Sequence, residues 1–261
     1  GWPESSYCWE GVAQHLDPSL RIIAPDLRGL GDSERTLNVQ AYQKAELAKD
    51  IVEIVDALGI DAFLLVGHDW GGIVAQETAL LVPQRVKQLV IMNIPVITNT
   101  VGSLEATKII YSRGAVPFWY QYFQQQPGLA EAMIKGNEEI WIRYFFGKAG
   151  MDGTIPPESI AEYIRCYRIE NTPATGASYY RAMRQDTKRW ATLGGMKFPM
   201  PTLYIHGNQD SVIIPEYLNH IEDGFDAIKV ESIQAAHFVQ EEKPREVAAL
   251  MNEFFKQAGK N

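Results

Sequence analysis

The stretch FLLVGHDWGGIVAQE, residues 63–77, constrains this chain more than any other. Its apolar start reads as a buried strand over 62–66, and apolar residues at helical spacing predict a helix over 71–82, ending before Pro83. Between the two, Gly67-His68-Asp69-Trp70-Gly71-Gly72 leaves room for a turn but not for a loop. Such a turn needs small residues, and a side chain at 67, 71 or 72 is expected to collide with the turn or the following helix. The turn pushes the side chain of Asp69 out at the carboxyl end of a strand, where open parallel sheets bind ligands. It also sets Asp69 at a helix N-terminus, which favours an ionised carboxylate.

The rest of the chain fits around that unit. Residues 20–24, LRIIA, read as a strand leading into the polar loop PDLRGLGDSE. Over 41–58 the residues Leu47, Ile51, Ile54, Val55 and Leu58 fall on one helical face, and the charges between them read as a solvated face. Further strands are predicted at 86–92, 202–206 and 227–231, and a last helix from Pro244 to about Lys256, with proline suited to a first helical turn. Strands alternating with helices at both ends of the chain predict an α/β protein with a mostly parallel central sheet and helices on both faces. Residues 97–198 break the alternation. Eight of the twelve tyrosines fall there, more than the segment's length accounts for, and it reads as a helical lid inserted between sheet strands. The expected organisation is a core made of 1–96 and 199–261, with 97–198 as the cap.

Charge and composition narrow the function. A net charge of −8 with no basic run argues against a nucleic-acid partner. No apolar run approaches the roughly 18 residues of a membrane span, so no membrane partner is expected. Cys8 and Cys166 lie far apart without a CxxC, which points to a reducing, cytoplasmic setting rather than a disulfide framework. No signal peptide is visible, although a chain starting at Gly1 leaves a removed leader open. The five histidines show no metal-ligand spacing, so neither a metal nor another cofactor is expected.

A strand, a turn of the form small-x-nucleophile-x-small-small and a helix make a nucleophile elbow. Here the tip carries a carboxylate. It is anionic at pH 7 and needs no base to attack. Against an ester or amide it would form an anhydride-like acyl intermediate; against a strained or activated sp3 carbon it performs a displacement and leaves an alkyl ester on itself. Hydrolysing that ester requires a general base for water, an acid to hold the base, and donors for the carbonyl oxyanion. HGNQDSVIIP places Asp210 on the loop after one strand, and SIQAAHFVQEEKP places His237 on the loop after the next. Alone, Asp210 reads as a turn residue and His237 as a cap. Together with Asp69 they follow the chain order of the α/β-hydrolase triad: nucleophile, acid, histidine. His68 and His206 read as structural.

On these residues the chain resembles the epoxide hydrolases of the α/β-hydrolase fold. Gly67-His68-Asp69-Trp70-Gly71-Gly72 matches that family's elbow, and Gly1-Trp2-Pro3-Glu4-Ser5 matches its His-Gly-x-Pro oxyanion loop without the histidine. FWYQYFQQQPG (118–128) and SYYRAMR (178–184) resemble the lid segments that carry two ring-opening tyrosines, which land on Tyr120 and Tyr180. The residues alone do not single these two out from the eight lid tyrosines, and Tyr179 is the neighbour most easily confused with Tyr180. The resemblance implies hydrolysis of a small hydrophobic epoxide to a vicinal diol through an ester on Asp69. It further implies backbone N–H groups of Trp2 and Trp70 as the oxyanion hole, Trp70 and Trp119 in the substrate pocket, no cofactor, and room for a homodimer.

The chain also departs from the family pattern. The first strands of the sheet precede this point in the family, and here the chain starts inside the oxyanion loop. Three accounts are open: a fragment of a longer product, an incomplete record, or neighbouring strands that close the gap directly, of which the first two are the expectation. A gap is then expected between the 20–24 and 62–66 strands, with unpaired backbone on both sides, a poorly fixed Trp2, and a chain of low stability and activity. Two other functions compete. A haloalkane or haloacid dehalogenase uses the same Asp-His-Asp set, but the family resemblance there requires an asparagine at Trp2 or an arginine at Trp70. A non-catalytic ligand binder on a hydrolase fold would have no need of Asp69, Asp210 and His237 together.

Overall fold

A computed structural model of the chain describes residues 1–114, 116–151 and 153–256. Its centre is a sheet of four parallel strands in the order β1 (Phe63–His68), β2 (Val86–Met92), β3 (Thr202–Gly207), β4 (Ile228–Ile233). Before β1 come a short helix α1 (Glu10–Ala13) and α2 (Lys44–Ala57). The helix α3 (Trp70–Leu81) joins β1 to β2, while α11 (Val239–Glu242) and α12 (Pro244–Phe255) follow β4. Between β2 and β3 the named elements among the described residues are helices: α4 (Thr100–Ser112), α5 (Trp119–Gln124), α6 (Leu129–Ile134), α7 (Glu138–Met151), α8 (Pro157–Tyr167), α9 (Thr172–Arg181) and α10 (Met183–Trp190).

The run VKQLVIM explains why helices cover both faces. Alternate residues of a strand point to opposite sides, and in β2 both sides are apolar. Leu89 and Ile91 pack with Ile73 and Val74 of α3, whereas Val90 and Met92 pack with Leu203, Ile205 and, from α12, Val247 and Met251. Each such side chain removed from water contributes about 1.5–3 kcal/mol, so β2 is held firmly from both faces. Parallel pairing aligns the carboxyl ends of all four strands, with Met92 beside both His68 and Ile205. Loops leaving those ends therefore converge on one edge.

The predicted strand at 20–24 is not formed. Residues 21–27 have no regular structure, and Ile22 and Ile23 are 45% and 40% exposed. A strand exists only where a neighbour takes its backbone hydrogen bonds. Here a largely apolar cavity of about 460 Å³, lined by Leu20–Pro25, Phe63–Val66 and the Ile51, Ile54 and Val55 face of α2, separates the segment from β1. The expected gap is thus real, with β1 at the sheet's edge. Among the described residues, no helix is long and apolar enough to cross a membrane.

Candidate active site

At the end of β1 the backbone of Asp69 takes φ 51° and ψ −130°, outside the regions open to ordinary L-residues. Strain of this kind persists only where the surroundings over-determine it. Two glycines make it possible. A Cβ on Gly67 would lie 2.4 Å from the carbonyl oxygen of Gly71, and one on Gly72 would lie 2.7 Å from Ile94 Cγ2. Gly71 does not share the constraint expected of it, since a Cβ there meets only the Gly1 nitrogen at 4.0 Å, because that face of the helix start is open. The carboxylate is nearly buried. Its Oδ1 accepts the Trp2 backbone N–H at 2.8 Å, and its Oδ2 lies 3.5 Å from His237 Nε2.

Trp2 corrects the expectation of a loosely held donor. It is buried, stacked on Tyr120 at 5.5 Å between ring centroids and edge-on to Phe145, Trp141 and Tyr180. Aromatic packing against the helices after β2 and the hydrogen bond to Asp69 hold it in place. The Trp70 N–H belongs to the first turn of α3, where intrahelical acceptors run out.

Asp210 and His237 arrive from the loops after β3 and β4. His237 Nδ1 donates to Asp210 Oδ2 at 2.7 Å, and the other Asp210 oxygen accepts the Val212 N–H at 2.7 Å. Burial pushes Asp210 up, but the charge and hydrogen bond of His237, helped by Asn93 and the Val212 N–H, hold it below the usual carboxylate range. Asp69 is likewise pushed up by burial and pulled down further by His237 and His68, to about 2. Burial lowers His237, yet Asp210 and Asp69 together raise it well above an ordinary histidine. The raised histidine and the two lowered carboxylates favour a cation between two anions.

Over Asp69 lies a cavity of about 540 Å³. Tyr120 and Tyr180 line it with Asp69 and Trp70, and their rings meet edge-on at 5.6 Å. Burial raises both phenols, Tyr180 feels Tyr120 next, and the Asp69 charge adds to both. They are therefore neutral hydrogen-bond donors at physiological pH. Tyr179 points elsewhere and donates to the Arg28 carbonyl at 2.8 Å. Trp119, expected in the pocket, is not part of this lining. It is 40% exposed and donates through Nε1 to the Tyr144 hydroxyl at 3.0 Å, because its place on α5 turns it outward while Phe118 and Tyr120 turn in. Among the described residues no cluster of three or more His, Cys, Asp or Glu could hold a metal ion.

Residues 1–244 match the family model described as the alpha/beta hydrolase fold. The soluble epoxide hydrolase of Corynebacterium sp. (strain C12) is 32% identical over 98% of this chain and 87% of its own length. The chain belongs to the epoxide hydrolase family of the α/β-hydrolase fold. Epoxide hydrolase A of Mycobacterium tuberculosis is 27% identical over 97% of this chain and 88% of that protein. A ligand-free structure of the epoxide hydrolase CorEH superposes with a TM-score of 0.78 at 28% identity, covering 98% of this chain and 89% of that one. The chain spans about half the length of the mammalian bifunctional epoxide hydrolases that it also matches.

Some residues of this candidate site carried little signal in the sequence. Asn93, just past β2 with φ 40°, donates to Asp210 Oδ2 at 2.8 Å and to the Ala236 carbonyl at 3.3 Å, while its Oδ1 accepts the Gly207 N–H at 2.8 Å. An asparagine directly after a core strand, where positive φ is tolerated, was the available clue. His68 Nε2 donates to the His237 carbonyl at 2.8 Å, and its Nδ1 lies 3.2 Å from Glu4 Oε2, so it steadies the histidine loop from below. His206 donates to the Ile213 carbonyl at 2.9 Å and shapes the Asp210 loop.

Proposed function

We propose that this chain hydrolyses neutral, hydrophobic epoxides to vicinal diols through a covalent ester on Asp69. The observation that carries the reading is the Asp69 carboxylate set between His237 on one side and a cavity bearing two neutral phenols on the other. Asp69 Oδ2 attacks an epoxide carbon, and the C–O bond of the ring breaks. The departing alkoxide takes a proton from Tyr120 or Tyr180, which suits phenols kept neutral by burial. A three-membered ring relieves its strain in this step, so positioning and proton donation suffice.

Forming the ester removes the charge of Asp69, one of the two anions that raise His237. The histidine then gives up its proton more readily, and the base appears only after the ester exists. Oriented by Asp210, His237 removes a proton from water, and the hydroxide attacks the ester carbonyl carbon of Asp69. The oxyanion settles on the N–H groups of Trp2 and Trp70, with Trp2 already bonded to that oxygen. Collapse of the tetrahedral intermediate breaks the ester C–O bond, and the leaving diol oxygen takes the proton that His237 drew from water. The new Asp69 carboxyl group returns a proton to His237, and the proton that His237 gave up after ring opening restores the tyrosinate to a phenol. The helices between β2 and β3 act as the lid. Among the described lining residues Asp69 alone is ionised, which favours uncharged substrates over haloacids.

The test is a single turnover with an aryl epoxide in heavy-oxygen water. Label should enter the Asp69 side chain, and His237→Gln should accumulate an Asp69 adduct visible by peptide mass spectrometry. Diol formed without label in Asp69 would remove the ester from the mechanism.

A further inference from the structure

We propose that Lys44 is a positioning residue that holds the nucleophile elbow and the Tyr180 helix in one fixed arrangement. The proposal rests on the reading of Tyr180 as a ring-opening donor. Lys44 is the first residue of α2, yet its side chain is fully buried. An ammonium carries three N–H groups, and three receivers surround this one. Nζ lies 2.9 Å from Asp186 Oδ2 on α10, donates to the Tyr179 carbonyl at the end of α9, and sits 4.0 Å from the centre of the Trp70 ring.

Each receiver leads to the reacting groups. Tyr179 O is on the peptide group that begins Tyr180, and carbonyls in the last turn of a helix lack intrahelical partners and favour a cation. Trp70 follows Asp69 directly, and its indole meets the Tyr180 ring edge-on at 5.5 Å. Asp186 also accepts the Lys44 backbone N–H at 3.0 Å, so one carboxylate caps α2 and neutralises the ammonium at its start. A lysine at a helix start ordinarily opposes the helix dipole and extends into water. Here it faces inward, onto the one ring shared by the elbow and the phenol. Tyr180, Trp70 and Asp69 are thereby fixed relative to one another by a single side chain from outside the site.

The variants are Lys44→Met, which keeps length and removes the donors, and Asp186→Asn, which keeps the α2 cap and removes the charge. Exposed Lys49→Met is the control. Stopped-flow single turnovers separate ester formation from ester hydrolysis. Ester formation is expected to slow tenfold or more in Lys44→Met and by less in Asp186→Asn, while ester hydrolysis, which uses the elbow but not Tyr180, slows clearly less than ester formation in the same variant. Fluorine NMR of 3-fluorotyrosine at position 180 should show a shifted or broadened signal in both variants and none in the control. Equal slowing of both steps, unchanged ester formation, or an unmoved fluorine signal each overturns the proposal. Should Lys44→Met fail to fold, Asp186→Asn decides by the same criteria. If the wild type makes no diol, the functional reading fails, and the fluorine comparison alone decides the placement of Lys44.

Discussion

In the proposed mechanism the phenols and the histidine act on different half-reactions, and single residues can be assigned by separating them. Tyr120→Phe/Tyr180→Phe removes the proton donors for the departing oxygen and leaves His237 and Asp210 in place. Loss of one well-placed donor costs about 10²–10³ in rate, so ester formation should fall at least that far while a preformed ester is hydrolysed normally. A double variant with full activity on an epoxide panel would free the tyrosines of this role. The pH dependence divides in the same way. With Asp69 held at about 2, ester formation should be flat over pH 5–8. Ester hydrolysis should rise with pH as His237 loses its proton. The Asp210 anion raises His237, so Asp210→Asn should move that rise to lower pH while reducing the plateau through lost orientation. A rise that stays at the wild-type pH would mean that Asp210 does not set the histidine.

At the scale of elements, β1 has one edge paired and one edge open. Phe63 and Asp69 donate to Arg85 and Met92 across the β1–β2 seam, so the odd-numbered residues of β1 face β2. By the alternation of a strand, the N–H groups of Leu64 and Val66 face the 460 Å³ cavity. Hydrogen exchange read residue by residue should find Leu64 and Val66 exchanging much faster than Leu65 and Gly67 of the same strand. Uniform protection along β1 would mean that the edge is covered. This edge also shows where reading a sequence stops. The helices from Lys44 and Trp70 and the strands β1 to β4 were legible because periodicity and Pro or Gly punctuation act locally. LRIIA carried the same apolar signal, but a strand is a relation between two segments, and the segment beside LRIIA is a cavity. The site divides likewise. Asp69, Asp210 and His237 stand out because each follows a strand in a fixed order, whereas Lys44 and Asn93 owe their places to partners 142 and 117 residues away. No local pattern encodes such a contact.

Across the whole molecule, polar anchors tie the helices between β2 and β3 to the helices that flank the sheet. Arg189 of α10 pairs with Glu77 of α3 through contacts of 2.8–3.0 Å, with Trp190 Nε1 on the same carboxylate at 2.9 Å. On the other flank, Glu241 of α11 accepts from Tyr163 and from Ser159 of α8 at 3.2 Å. This second anchor is sensitive to pH. Burial, then the negative charge of Glu4, push Glu241 up to about 8, against the pull of Tyr163 and Ser159; Glu10 adds a further negative charge. A folded-state pKa raised above the ordinary value of 4.5 gives a contribution to stability that is complete below pH 4.5 and lost as pH rises through about 8. Ionised Glu241 then sits buried beside Glu4, and α8 loosens against α11. Glu241→Gln keeps an oxygen for Tyr163 and Ser159 but cannot ionise. Its melting temperature should fall at or slightly below the wild type at pH 5 and exceed it by several degrees at pH 9, measured by calorimetry in buffers of matched ionic strength. A difference between the two proteins that stays constant from pH 5 to pH 9 would show that Glu241 ionises as freely in the fold as in water, and the anchor would then hold the helices by shape alone.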